Sequence, residues 1–253
     1  MSDLTRFTLR DMSILEATLR RIGAGADSME EVAARIVRHL YGGLVDAQSG
    51  RNACALVRLF KIHRQGDLPP ELREIARAAG GDAGVTPTTK CFVLLATAGD
   101  EPAWNSTALS VAHRAIPLAS PATVETIPMM ADLFRQFGIE SALVSRPESD
   151  TLVEPGQRTF NVFFVPKALG SPQILKKEFA VQFRIESALG VGGMLPSGDL
   201  FALVLFSKTA IPRATADLFA PLALSVKLAL LPFDGGQVFA PRPGTRTGAG
   251  GHV

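Results

Sequence analysis

Apolar residues near the start of the chain recur at intervals of three and four, which predicts one helix. The stripe consists of Leu9, Met12, Leu15, Leu19 and Ile22. Glycines at 23 and 25 end the helix. The last four positions also fit two heptads of a coiled coil, so packing against the same domain and packing against a partner helix both remain open.

A second helix is predicted after the Ser28–Glu31 capping box. Its apolar face comprises Val32, Ile36, Val37, Leu40, Leu44 and Val45. The helical spacing of apolar residues then ends, and the segment NACALVRLFKI, from Asn52 to Ile62, is apolar at nearly every position. This pattern predicts a strand covered on both faces.

The next segment, 64–90, predicts a helical excursion that begins at Pro69 and Pro70 and ends at Gly80 and Gly81. A second buried strand is predicted over Cys91–Gly99. Weaker alternation predicts a third strand over Ala108–Leu118.

The second half of the chain predicts a helix over Pro121–Gly138, a short strand around Ala142–Val144 and a strand over Arg158–Val165. Two apolar runs, 188–195 and 200–207, surround the turn formers Pro-Ser-Gly-Asp and predict a hairpin.

The last predicted element is an apolar helix from Ile211 to about Leu231, which Pro221 should kink or split. We therefore predict an α+β fold, an antiparallel sheet flanked by helices, with one domain over 9–233. Residues 1–8 are expected to be flexible, and the Gly/Pro-rich residues 234–253 are expected to be disordered.

Composition narrows the class of protein. The 253 residues have a net charge of +2 and no block of like charges, which argues against a nucleic-acid partner.

The N-terminus does not resemble a secretory signal. The apolar run Leu218–Phe233 is interrupted by prolines and is shorter than the roughly 20 residues that span a membrane. We expect a cytoplasmic protein with no membrane partner.

The stretch from Ser187 to Leu231, SALGVGGMLPSGDLFALVLFSKTAIPRATADLFAPLALSVKLALL, resembles the end of a GAF domain. CALVRLFKIH with GDLPPEL, LLATAGDEPAWNS, HRAIPL and RTFNVFFVP extend the resemblance over about residues 9–233. They are most similar to proteobacterial GAF-like sensory modules related to those of sensor histidine kinases. The resemblance implies a GAF-like sheet with the N- and C-terminal helices on one side.

In GAF domains, ligands occupy a pocket between the sheet and the helical excursions. The resemblance places that pocket at residues 104–117 and about 129–165. One flat aromatic ring, several hydrogen-bonding groups and an imidazole stand there, the mixture that a small-molecule pocket uses. The candidate ligand-binding residues are Trp104, Asn105, Ser106, Ser110 and His113.

His113 has several alternative roles: an anion contact, a pH switch, a haem ligand or an ordinary structural histidine. No second ligand at a recognisable spacing favours haem, so the structural role is preferred and no metal site is assigned. Ser110 and His113 lack the motifs of a hydrolase. The glycines of GVGG, 190–193, precede a turn and not a helix, which favours close packing in a strand over a phosphate loop.

Cys54 and Cys91 begin neighbouring strands of the predicted sheet, so they could be close to each other. A redox pair would suggest a GAF-fold thiol enzyme of the methionine sulfoxide reductase type. Both thiols lie in apolar runs that should raise their pKa and reduce their reactivity. No cysteine adjoins a histidine as bilin attachment would require.

The function that we expect is a stand-alone sensory or regulatory module that binds a small ligand, or a signalling partner, without catalysis. The apolar helices at both ends suggest a homodimer. No output segment is recognisable after Phe233, so signalling would act on a partner protein in trans. The alternatives are a dimeric scaffold without a ligand and the thiol enzyme.

Overall fold

The computed structural model describes residues 1–81, 84–110, 113–137, 162–174 and 177–241. Its strands are β1 (Ser2–Asp3), β2 (Leu44–Val45), β3 (Cys54–Arg64), β4 (Lys90–Gly99), β5 (Ala115–Pro117), β6 (Val162–Val165), β7 (Ser187–Met194) and β8 (Leu200–Ser207). Its α-helices are α1 (Leu9–Leu19), α2 (Met29–Gly43), α3 (Pro70–Gly80), α4 (Pro121–Glu125), α5 (Pro128–Gln136), α6 (Lys177–Gln182), α7 (Arg213–Asp217) and α8 (Leu222–Leu230).

The central sheet has six strands in the order β5-β4-β3-β8-β7-β6, and every neighbouring pair is antiparallel. β3 lies between β4 and β8. Its Arg58 pairs with Thr97 on one side and with Val204 on the other. The predicted α+β class and antiparallel sheet are confirmed.

One face of this sheet, the terminal-helix face, packs against α1, α2 and α8. It carries Val57, Leu59 and Leu203, which share one buried cluster with residues of those helices. Leu15, Leu19, Ile36, Leu40, Leu222 and Val226 are the main helical members. The predicted placement of the N- and C-terminal helices on one side is therefore confirmed.

The opposite face carries Phe60, Phe92 and Val204 and packs against α4, α5 and α6. The rings of Phe60 and Phe92 stack with their centroids 4.6 Å apart, and Phe134 of α5 meets Phe92 edge-on at 5.6 Å. Such aromatic pairs add to the stabilisation that burial alone provides. Both faces of the sheet are thus covered.

Local sequence explains where the first two helices begin. The Thr8 hydroxyl accepts a hydrogen bond from the Asp11 N–H, and the Asp11 carboxylate accepts one from the Thr8 N–H. Ser28 caps α2 by accepting from the Glu31 N–H at 3.2 Å, but the Glu31 carboxylate accepts from the Asp27 N–H. The predicted capping box is therefore present in part: Ser28 caps the helix, but the Glu31 carboxylate binds the N–H of Asp27 and not that of Ser28.

Single residues explain the bounds of three predicted elements, two of which differ from the prediction. The third strand shortens to β5, because His113 has a positive φ of 63° that is incompatible with extended backbone. The helix predicted over 121–138 is split before Pro128, which cannot donate an interior helical hydrogen bond. Pro221 splits the last helix into α7 and α8, as predicted. The strand predicted at Ala142–Val144 lies outside the described residues.

The folded region extends past both predicted domain boundaries. Leu4 and Phe7 are buried in the cluster of the terminal-helix face, and β1 pairs with β2, so residues 1–8 are an integral part of the fold. At the other end, the carbonyls of Gln237 and Val238 accept hydrogen bonds from the first two N–H groups of α2. The expectation of flexible or disordered ends is corrected for residues 1–8 and 234–241.

The segment Arg213–Phe233 is long and apolar enough to cross a membrane by composition. In the fold it is a core element: α8 buries Leu222, Val226 and Leu230 against α1, α2 and β7.

Two adjacent glycines in β7 test the packing of the sheet. A methyl group added at Gly192 would collide with the Phe137 ring and the Phe201 carbonyl, whereas at Gly193 the nearest atom would be 3.6 Å away. Gly192→Ala should lower the free energy of unfolding by about 1–3 kcal/mol, and Gly193→Ala should change it by less than about 0.5 kcal/mol. Urea unfolding of both variants measures this, and equal effects would contradict the close approach.

Candidate functional site

A cleft of about 590 Å³ lies beside β5, at the edge of the sheet. Its walls come from α3, from residues 108–110 and 113–117, and from the α4–α5 region. The lining residues are Ile75, Ala79, Ala108, Leu109, Ser110, His113, Arg114, Ala115, Ile116, Pro117, Thr123, Thr126 and Ile127. A mostly apolar wall with a few polar groups is typical of a small-molecule site.

The sequence builds this cleft from short elements that pack at the sheet edge. α3 begins at Pro70 and packs against β5, which brings Ile75 and Ala79 to one wall. Ser120 caps α4 by accepting from the Thr123 N–H at 3.2 Å, and this turn presents Thr123 to the other wall. The cleft is therefore a consequence of the helical excursion after β3 and the paired short helices after β5.

Arg58, in the middle of β3, lies outside the lining but contacts one of its residues, Ser110. Only 8% of Arg58 is exposed, and its Nη2 donates a hydrogen bond of 3.1 Å to the Ser110 hydroxyl. Its Nε has no hydrogen-bond partner, and Arg58 forms no ion pair with a described carboxylate. Burial lowers the pKa of the guanidinium to about 10, so Arg58 remains a cation at neutral pH.

Thr97 lies directly opposite Arg58 on β4, and cross-strand partners project from the same face of a sheet. Its hydroxyl is buried and makes no hydrogen bond to a described residue. Two neighbouring buried polar groups thus retain unused hydrogen-bonding capacity, which is uncommon in folded proteins.

Arg114 supplies a second guanidinium at the cleft. It forms an ion pair of 2.5 Å with Glu71 of α3, and its side chain is 15% exposed. Its buried Nε has no hydrogen-bond partner within the described ranges. The described lining residues include no aspartate or glutamate, but Glu71 compensates the charge of Arg114, so Arg58 is the nearby cation without a described countercharge.

Two of the five candidate residues line the cleft, Ser110 and His113. Trp104 lies outside the lining, where its ring packs against Phe183 at 4.4 Å and Phe179 at 5.9 Å. The Asn105 side chain accepts from the Gly99 N–H and donates to the Gly99 carbonyl, which fixes the loop after β4.

Ser106 also lies outside the lining, and its backbone carbonyl accepts a hydrogen bond from the Ser110 N–H at 3.1 Å.

Sequence reasoning missed Arg58, Thr97 and Arg114. A cation in the middle of CALVRLFKI was the available signal, since a strand covered on both faces leaves no solvent for an arginine.

His113 combines a left-handed backbone with a position in the cleft wall. Histidine is one of the residues that adopt this conformation more readily than most. Within the described residues, no group of three or more His, Cys, Asp or Glu side chains is placed to hold a metal ion.

The two cysteines lie far apart. β3 and β4 are antiparallel, so Cys91 pairs with His63 at the far end of β3 from Cys54. A separation of nine residues along a strand corresponds to about 30 Å, whereas a disulfide needs Cα atoms within about 7 Å. The expectation that they might be close is wrong. Burial raises the pKa of each thiol to about 12.

Solved structures similar to this chain include two bacterial GAF domains. One, from a phosphoenolpyruvate-protein phosphotransferase (ptsP) of Coxiella burnetii, is 10% identical with a TM-score of 0.48, and the match covers 90% of this chain and 96% of that one. The other, from an Acinetobacter phosphoenolpyruvate-protein phosphotransferase, is 11% identical with a TM-score of 0.42 and covers 88% and 94%.

No protein-family model matches the chain, and no curated protein sequence matches it. A sheet between two helical layers is the architecture that the sequence resemblance implies.

The buried thiols give a direct test of the thiol-enzyme alternative. Both cysteines are completely buried and their pKa values are about 12, so neither thiolate forms at pH 8. We predict that a thiol reagent labels neither cysteine in the native protein and labels both in 8 M urea, about two equivalents in total. Rapid native labelling of either cysteine would contradict the burial.

Proposed function

We propose that the chain is a regulatory module that binds a small molecule in the cleft beside β5 without converting it. The observation that carries this proposal is the cleft itself, about 590 Å³ with an apolar wall, whose Ser110 accepts a hydrogen bond from a buried arginine with unused hydrogen-bonding capacity. Protein interiors seldom leave such a group without a partner, so a ligand is a natural complement.

The described contacts at the cleft suit recognition by hydrogen bonding. The Ser110 hydroxyl accepts a hydrogen bond from the cationic Arg58. Ligand recognition by hydrogen bonding needs only the donors and charges already in place.

β3 offers a route from the cleft to the terminal helices. Arg58 lies on the opposite face, where it contacts Ser110 of the cleft wall, while its neighbours Val57 and Leu59 pack in the cluster with α1, α2 and α8. A ligand that shifts Arg58 would act on a strand whose other face supports those helices. In this proposal, ligand binding changes the relative populations of two packings of α1 and α8.

The partner of the terminal helices is a second copy of the chain in this proposal. α8 exposes Leu224 and Leu228, one turn apart, at 37% and 41%, and the adjacent α1 exposes Ile14 at 56%. Large apolar side chains grouped on neighbouring helices are typical of an interaction surface. If no ligand bound, this surface would still support the alternative function, a dimeric scaffold.

A substitution in α3 tests the cleft. Ala79→Trp should fill it with an indole, while Ala78→Trp, on the same helix but outside the lining, is the matched control. Both alanines are exposed, so each variant should stay within about 0.5 kcal/mol of the wild-type stability.

The measurement is a thermal-shift screen with nucleotides, amino acids, aromatic acids and haem. A compound present at 100 times its Kd stabilises the folded state by about 2.7 kcal/mol. We expect a hit that Ala79→Trp abolishes and Ala78→Trp preserves. A hit that survives in Ala79→Trp, or the absence of any hit, would refute binding in the cleft.

A charged double substitution tests the dimer. Leu224→Glu with Leu228→Glu should convert the protein to a monomer in sedimentation velocity, because buried unpaired carboxylates oppose association. Leu169→Glu, at a leucine 46% exposed elsewhere, should leave the dimer intact. A wild-type protein that sediments as a monomer at every concentration would rule out this pairing.

A further inference from the structure

Two long cationic side chains of β3 are buried, and only one of them has a carboxylate partner among the described residues. The Lys61 side chain, 3% exposed, forms an ion pair of 2.5 Å with Asp199 in the turn between β7 and β8. Arg58, three residues earlier on the strand, has no carboxylate partner among the described residues. Its one described hydrogen bond goes to a neutral hydroxyl, that of Ser110.

A buried cation without an opposite charge is costly, and proteins normally supply the opposite charge or a bound ion. A guanidinium has five N–H donors in a planar fork that matches a carboxylate. Arg58 uses one of these donors on Ser110, and its Nε donates to nothing described. The unused capacity therefore matches a flat oxyanion better than it matches any neutral group.

The surroundings of Arg58 point to the same kind of ligand. Ser110 connects Arg58 to the cleft, because its hydroxyl accepts from Arg58 and the residue lines the wall. Arg114, in the same wall, adds a second guanidinium whose Nε lacks a described partner. The unsatisfied Thr97 hydroxyl beside Arg58 is a further donor on the same face of the sheet.

We propose that the ligand of this cleft is a small carboxylic acid, whose carboxylate lies at the Ser110 end with Arg58 as its countercharge and the Nε of Arg114 as a further donor. Its apolar part would contact the wall formed by Ile75, Ile116 and Ile127. This inference rests on the proposed function and names the class of ligand.

The test compares acids with their neutral amides in titration calorimetry. Benzoate and benzamide have nearly the same shape, as do acetate and acetamide, so each pair isolates the charge. Wild-type protein should bind benzoate at least about tenfold more tightly than benzamide, and inorganic phosphate should bind more weakly than benzoate. Equal affinity for acid and amide, or stronger binding of phosphate, would overturn the proposal.

Variants of Arg58 test whether this residue causes the preference for the acid over the amide. Arg58→Met keeps the length and removes the charge, and replacing an uncompensated buried cation by an apolar group is compatible with folding. It should reduce benzoate binding to the level of benzamide. Arg58→Lys keeps a charge without the planar fork and should retain only part of the preference.

The matched control is Arg77→Met, which removes an exposed cation of α3 outside the lining. It should leave the acid preference unchanged. An equal loss in Arg77→Met and Arg58→Met would show a general effect of surface charge and refute the assignment.

The outcomes separate this inference from the proposed function. Neutral compounds that bind in the cleft, with binding lost in Ala79→Trp and unaffected by Arg58→Met, would refute the carboxylate and leave the regulatory module standing. If no compound of either class binds, and the broader screen also gives none, both proposals fail together.

Discussion

The burial of β3 on both faces is the constraint on which the rest of the fold depends. All its residues from Cys54 to His63 are buried. An antiparallel sheet can leave one face to water, but a strand that is apolar on both sides requires a helical layer on each. The terminal helices α1, α2 and α8 provide one layer, and the short helices α4, α5 and α6 provide the other.

This double burial also determines how the polar residues of β3 behave. His63 cannot hold a charge there, because burial, together with the nearby Lys61, moves its pKa well below the usual value. Lys61 forms an ion pair with Asp199. Arg58 keeps its charge because a guanidinium is a very weak acid, even after burial lowers its pKa. One strand thus carries a neutral histidine, a cation with a carboxylate partner and a cation without one among the described residues.

The sequence predicted elements that local chemistry specifies and missed features that depend on distant residues. The hairpin of β7 and β8, the capped start of α2, and the split at Pro221 follow from turn formers, a capping residue and proline. The cleft joins α3 to residues at least 29 positions later, so no local pattern reveals it.

The contacts of Trp104 also could not be predicted from the local sequence. Its single occurrence and its loop position suggested a ligand contact, yet the structure places it against Phe179 and Phe183 of a later helical segment. For Arg58 the opposite holds. A cation inside a strand of apolar residues was a signal available from the sequence alone. The separation of Cys54 and Cys91 required the strand direction, which residue spacing alone does not give.

The contact between the last described residues and α2 has a consequence for sequence variation. Gln237 and Val238 hold the helix N-terminus through their carbonyls, and the Ala240 N–H donates to the Glu30 carboxylate. Carbonyls belong to every amino acid, so this attachment tolerates exchange of the side chains at 237 and 238. Proline at 240 would remove the donor. The segment can therefore diverge in sequence while keeping its place, and low similarity there would say little about whether a relative shares the attachment.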